Sequence, residues 1–404
     1  MKDKAENVQT AVWRATDSTR GPLDGIRVVD LSRVLAGPLC TQMLADHGAD
    51  VIKVEPPFGD ESRQFGPPFD DEGNAAYYSA LNRGKRAMIL DLKHAEGRSA
   101  LFALLEQADV LVENFLPGTL EKWGLGYEEV LRERFPQLIF CSISGFGASG
   151  PMGGLPGYDA VMQALSGLMS INGTPDSGPV KIGIPIVDHL TAYTAFSGIL
   201  MALHARHASG KGQPVEAVLF DTALSLLVPH AANWLHSGDE PLRLGNTHPN
   251  IAPYDCFQAL DGPVFLSIAN DAQFRRLCKH LAREDLLEDP KYASNPLRVQ
   301  NNAALHREIE ASFAQRPREA LCVELMKAMI PAAPVNTVPQ ALGLAHTGHR
   351  HMVLREGGYQ GLGVPIKFPD TVSPFSGKPP NFAEHDTEIR NALNPSAEPD
   401  PQKP

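Results

Sequence analysis

Apolar and polar positions along this chain switch period again and again, and the switches predict alternating strands and helices. From Gly25, GIRVVDLS is a β-branched run that predicts a buried strand, and Gly37 to His47 carries the spacing of a helix. DVIKVE (Asp50 to Glu55) predicts a second strand, followed by a polar Pro/Gly/Asp-rich loop to Gly73. A short strand at AMILDL (Ala87 to Leu92), a helix near Glu96 to Gln107, a strand at DVLVEN (Asp109 to Asn114), a helix near Tyr127 to Glu133 and a strand from Leu138 continue the alternation. Repeated βαβ units with continuous Val/Ile/Leu strands predict a parallel sheet covered on both faces.

Gly153 to Ser170 and the region after Asp188 read as mostly helical. GIPIVDHLTAYTAFSGILMALHARH, Gly183 to His207, begins extended and becomes a long apolar helix, which puts Asp188 at a helix start. Free N–H groups and the positive dipole end favour an anion there, so the plain expectation for Asp188 is an N-cap. RLGNTHPNIAPY, Arg243 to Tyr254, is a turn-rich linker candidate. Beyond it, DCFQAL, a turn at Asp261-Gly262 and VFLSIAN predict an antiparallel hairpin. Helices around Asp271 to Arg283 and His306 to Ala314 complete a smaller unit, and IPAAPVN (Ile330 to Asn336) predicts a strand leaving it. The expected division is a flexible leader over 1–20, a large domain over 21–242, linker and small α+β domain over 243–330, a return to the large domain over 331–393 and a disordered tail over 394–404.

At 404 residues, with 43% hydrophobic and 21% charged positions, the composition is that of a globular protein with a sizeable core. A net charge of −11 argues against general attraction to nucleic acid or anionic membranes, so an anionic ligand needs a local basic patch. The five cysteines show no CxxC and no metal-ligand spacing, and reduced core thiols suit the cytosol. No apolar run reaches membrane-spanning length in this reading, and the first twenty residues, with Asp3, Glu6 and Asp17, lack a signal-peptide core.

Candidate chemistry is sparse when each motif is weighed alone. SRVLAGP has one glycine where a pyrophosphate turn needs three, which argues against nicotinamide binding even though Glu55 ends the second strand as a ribose-binding acid would. No Walker loop is present, and GFGASG offers no nucleophile elbow. Ser32 to Pro38 still forms a loop at the carboxyl end of a strand, where open α/β sheets bind ligands. Arg33, and the group Arg83, Lys85, Arg86 and Lys93 flanking the AMILDL strand, are expected to be solvated. His204 and His207 read as cations of a helix C-terminus.

Five segments together carry a family resemblance: PLDGIRVVDLSRVLAGPLCTQMLADHGADVIKVE, NRGKRAMILDLK, VENFLPGTLEKWGL, GYDAVMQALSGL and GIPIVDHLTAYTAFSGIL. In order and spacing they resemble the class III CoA-transferases, the CaiB/BaiF or formyl-CoA transferase-like family, from about Pro22 to Asn391. The resemblance implies an α/β fold with a Rossmann-like large domain, a mostly parallel sheet and a smaller α+β domain, in an interlocked homodimer. The family's nucleophilic Asp, preceding a long helix after a GYD-like tyrosine, corresponds to Asp188. Its CoA contacts correspond to Arg33, Val34, Leu35 and Ala36, to Leu90, Asp91 and Lys93 at the adenine end, and to Asn114, Phe115 and Leu116. A phosphate-contacting basic residue corresponds to Lys122, and Gly157, Tyr158 and Asp159 lie beside the thioester. Coenzyme A and acyl-CoA are thereby substrates with a carboxylic acid as partner, no tightly bound cofactor and no metal are expected, and the setting is cytoplasmic.

Three departures qualify the match. Pro56-Pro57 stands where the family often has a basic residue, GNTHPNIAPY replaces the glycine-rich lid of oxalate-specific members, and the GEHT pattern becomes Ala383 to Thr387. The expected activity is CoA transfer from a donor such as succinyl-CoA to a carboxylic acid, through an aspartyl anhydride and an aspartyl-CoA thioester. The alternatives are an α-methylacyl-CoA racemase, disfavoured because the family's racemases carry His where this chain has Tyr158, and a non-catalytic CoA-binding protein.

Overall fold

The structure is a computed structural model that describes residues 12–15, 21–369 and 377–393. The expected tail and most of the expected leader lie outside the described residues. Two compact units are present. One comprises the described residues up to Ser166, Gly183–Leu226 and those from Gly348 onward, and the other comprises Gly167–Ile182 and Leu227–Thr347.

The first unit is built on six parallel strands: β1 (Arg27–Asp30), β2 (Asp50–Glu55), β3 (Arg86–Ile89), β4 (Val110–Glu113), β5 (Ile139–Ser144) and β6 (Pro214–Val218), in the order β3-β2-β1-β4-β5-β6. The chain builds outward from β1 to β3 and then returns to add β4 on the opposite side of β1. That reversal leaves a crevice between the carboxyl ends of β1 and β4, where open α/β sheets take their ligands. The sixth strand does not stand out in the sequence. PVEAV starts with proline and carries a glutamate, as suits a half-exposed edge strand with one partner.

Continuous apolar strands demand cover on both faces. Val29, Leu31, Ile52, Val54, Met88 and Leu111 pack against Leu101, Leu104 and Leu105 of the helix Ala95–Leu105 and against Ile389 of the helix Asp386–Leu393. Each of these side chains contributes about 1.5–3 kcal/mol by leaving water. Helix α1 (Ala36–Asp46) packs along helix α2 (Ile186–Ser209), which also lies against β5 and β6. Contrary to the sequence reading, α2, with 24 residues, is long and apolar enough to cross a membrane by length and composition alone. Asp188, His189, Thr191 and Thr194 interrupt the run, and Val187, Ala192, Ala195, Phe196, Ile199 and Ala202 are buried within the unit.

Of the basic residues around β3, Lys93 is exposed as expected, but Arg83, Lys85 and Arg86 are buried. Arg83 pairs with Asp46, Lys85 with Asp30 and Arg86 with Asp50, at 2.6, 3.0 and 2.7 Å, with every side chain in these pairs at most 9% exposed. Their partners lie more than thirty positions away in sequence, so local patterning could not reveal them. Glu55 is likewise committed, receiving both Nε and Nη2 of Arg63 at 2.9 and 2.6 Å.

The second unit contains the antiparallel sheet β7 (Tyr254–Ala259), β8 (Gly262–Ser267) and β9 (Ala332–Pro334), covered by the helices Asp271–His280, Asn302–Phe313 and Arg318–Lys327. Phe257, Val264, Leu266, Leu277, Ile309 and Phe313 form its core.

Candidate active site

Two loops meet at the β1/β4 reversal. After β1 the chain runs through Leu31 to Leu35 and turns into α1. After β4 it passes Asn114 to Pro117. The Asn114 side chain joins them: its Oδ1 accepts the Arg33 N–H at 2.8 Å and its Nδ2 donates to the Arg33 carbonyl at 2.7 Å. Gly37 is required for α1 to start here, because a Cβ at that position would fall 2.2 Å from the Ser32 side chain.

A cavity of about 450 Å³ opens at the ends of β1, β2 and β4, walled by Val54, Pro56, Phe58, Leu90, Phe115 and Trp123. Phe115 and Trp123 meet edge to face with centroids 5.3 Å apart, giving it a rigid aromatic wall. A second cavity of about 260 Å³ contains Asp188 together with Val34, Leu35, Ala36, Asn114 and Tyr158. Arg33, Phe115 and Leu116 line both. The Arg33 guanidinium sits 5.5 Å from the Phe115 ring centroid and pairs with Glu61 at 2.7 Å.

Most of the residues singled out in the sequence come together here. Gly157 lines the smaller cavity, while Asp91 and Lys93 line the larger one with Leu90. Lys122 ends the short helix Thr119–Lys122, is exposed and lines neither cavity. Asp159 also lies outside the cavity lining and acts from behind it.

The N-cap expectation for Asp188 is corrected. Helix α2 begins at Ile186, the cap position is Pro185, and Asp188 is the third helical residue. The cap comes from the helix Asp159–Leu165: one oxygen of Asp159 accepts the N–H of Val187 at 2.7 Å and of Asp188 at 3.2 Å. The other oxygen accepts from Gln163 Nε2 at 2.5 Å. Proline has no side-chain acceptor, so the first-turn N–H groups are satisfied by a carboxylate twenty-nine positions earlier. This releases the Asp188 carboxylate from capping.

Burial and then the like charge of Asp159 push the Asp188 carboxyl up to about 7. Among the described residues no hydrogen bond or ion pair engages its oxygens. Tyr77, which the sequence reading passed over, lies within electrostatic reach. Burial, followed by the Asp188 and Asp159 charges, pushes its hydroxyl up to about 12, so it stays protonated as a neutral donor. No local signal in NAAYYSALN marks Tyr77, since only the fold brings it toward Asp188. A carboxylate with free lone pairs in a partly closed cavity, beside apolar walls and the start of α1, is suited to attack an activated carbonyl.

Comparison with known proteins gives the family. The model of CoA-transferase family III matches residues 23–386. A succinate–glutarate CoA-transferase of Agrobacterium fabrum is 40% identical over 379 residues, covering 91% of this chain and 94% of that protein. A succinyl-CoA:mesaconate CoA-transferase of Haloarcula hispanica is 40% identical over 383 residues, with 91% and 96% covered. The crystal structure of a CaiB/BaiF family protein from Brucella suis superposes with a TM-score of 0.83 at 43% identity, covering 93% of this chain and all of that one. This chain belongs to CoA-transferase family III, the CaiB/BaiF family, and is a CoA-transferase.

Proposed function

We propose that the enzyme moves CoA from succinyl-CoA, or a similar short acyl-CoA, to a dicarboxylic acid, with Asp188 as the nucleophile. The observation that carries the nucleophile is its unengaged carboxylate in the cavity formed by the Arg33 to Ala36 loop, Asn114 and Tyr158. The acid class is supported by the succinate, glutarate and mesaconate in the names of the relatives.

Ionised Asp188 attacks the thioester carbonyl and expels CoA thiolate, leaving a mixed aspartyl anhydride. The thiolate attacks the aspartyl carbonyl of that anhydride, releasing the donor as its free carboxylate and leaving an aspartyl-CoA thioester. The acceptor carboxylate attacks this thioester and expels the thiolate again, forming a second anhydride. Thiolate then attacks the acceptor's carbonyl, and Asp188 leaves as a carboxylate. No proton is consumed, and acyl activation is conserved at each step. Tyr77 and the N–H groups at the start of α1 are the donors proposed for the oxyanions. Water must be kept out, since each intermediate hydrolyses readily.

In this reading the nucleotide end of CoA occupies the larger cavity against Leu90 to Lys93, and pantetheine passes Phe115 toward Asp188. The enzyme is proposed to work in the cytoplasm as an interlocked homodimer. The test is to incubate it with succinyl-CoA and a panel of acids and to identify new acyl-CoAs by mass spectrometry. Transfer to dicarboxylates, lost in Asp188→Ala, is expected. Transfer that survives Asp188→Ala within about tenfold overturns the nucleophile assignment.

A further inference from the structure

We propose that Asp60 is a positioning residue of the transferase site: paired with Lys53, it holds Val34 in a left-handed turn and so fixes the loop edge of the cavity that contains Asp188. The proposal rests on reading that cavity as the site of acyl transfer.

Val34 has φ 69, a region where a β-branched residue is a genuine outlier. Such a conformation is strained and persists only where its surroundings over-determine it. Here they do. Asp60 Oδ1 accepts the Val34 N–H at 3.2 Å, and Lys53 Nζ donates to the Ser32 carbonyl at 2.8 Å. Asn114 fixes Arg33, the residue between them, on both its N–H and its carbonyl. The loop is thus held on three consecutive residues by side chains from β2, from the chain just beyond β2 and from the end of β4.

The Lys53–Asp60 pair, 2.8 Å apart, is fully buried, with both side chains at 0% exposure. A buried ion pair adds little stability over apolar residues of similar volume. What apolar residues cannot do is accept the Val34 N–H or donate to the Ser32 carbonyl. Asp60 also receives the N–H and hydroxyl of Ser62 at 2.9 and 2.7 Å. One carboxylate therefore ties the turn Glu61–Gln64, whose Glu61 pairs with Arg33, to the loop that lines the cavity. The geometry points to a buried charge pair retained for the shape of a binding loop.

The test is a cycle of substitutions read as kcat and KM for the acyl-CoA, with melting temperature as a control for folding. Asp60→Ala is expected to lower kcat/KM about 100-fold. Glycine adopts left-handed backbone without strain, so the same substitution made alongside Val34→Gly should lose at least tenfold less than it does beside Val34. If the stranded Lys53 prevents Asp60→Ala from folding, the charge-free pair Lys53→Met/Asp60→Leu is put through the same cycle. Loss of stability alone would lower kcat/KM equally with and without Val34→Gly, and that result overturns the proposal. So does a charge-free pair with kcat/KM within threefold of wild type. An active wild type with unaffected Asp60 variants removes the positioning role alone, whereas a wild type that moves no CoA removes the reading of the cavity with it.

Discussion

One oxygen of Asp159 accepts the backbone N–H of Asp188 at 3.2 Å while also holding the N–H of Val187. Two carboxylates thereby share a helix start. One takes the N–H groups, and the other is left without them. Hydrogen bonds to a carboxylate stabilise its charge and weaken it as a nucleophile, so leaving Asp188 unengaged favours attack.

The pH dependence of kcat/KM should report Asp188 in the free enzyme. Its carboxyl is pushed up to about 7, and only the ionised form attacks. Activity should therefore fall about tenfold per pH unit below 7 and level off above it. A profile flat from pH 5 to 8 would contradict the assignment.

The same group predicts a change in stability. The folded state keeps the Asp188 proton over a range of pH in which the unfolded chain has already lost it. Its contribution to stability is therefore present at acidic pH and is lost as pH rises from about 4 toward 7. Asp188→Asn, which cannot ionise, should raise the melting temperature relative to wild type at pH 8 and change it little at pH 4. An equal shift at both values would count against this.

Asp159→Asn keeps an oxygen for the N–H groups of Val187 and Asp188 but removes the charge that opposes ionisation of Asp188. The midpoint of the pH profile should move toward acid. The move should be less than the whole displacement, because burial is the larger cause. Asp159→Ala instead strands two N–H groups at a helix start and should cost about 1–3 kcal/mol of stability, measured by denaturant unfolding.

Lys93 lines the larger cavity and Lys122 does not, although the family resemblance selects both as CoA contacts. Lys93→Ala should raise KM for CoA donors several-fold, the equivalent of about 1 kcal/mol, and leave truncated pantetheine thioesters unchanged. Lys122→Ala should have the smaller effect. Equal effects of Lys93→Ala on both donor types would remove the nucleotide end from this cavity.

Without an acceptor acid, the enzyme should not exchange the α-proton of a 2-methylacyl-CoA with deuterated solvent. By the family resemblance Tyr158 stands where the racemases carry histidine, and it is 71% exposed. Exchange as fast as transfer, followed by NMR, would favour the racemase.

The parallel strands were legible in the sequence because their apolar runs respond to burial on both faces, which is a local demand. The long helix after Asp188 was legible for the same reason, and the order of five motifs sufficed to identify the family. The edge strand Pro214–Val218 was not legible, since an edge strand buries too little to impose a pattern. Arg83, Lys85 and Arg86 read as surface charge because a residue's partners are not part of its local pattern. Only folding brings Asp46, Asp30 and Asp50 beside them, where unpaired burial would be prohibitive. Asp188 could be named from sequence, but its freedom from capping could not, for the acceptor that releases it belongs to another helix. By itself the sequence determined the elements other than that edge strand, the family and the candidate nucleophile, all of which follow from local periodicity and motif order. The tertiary structure decided which carboxylate caps, which one faces the cavity and which buried pair holds Val34, because each of these depends on contacts between residues far apart in the chain.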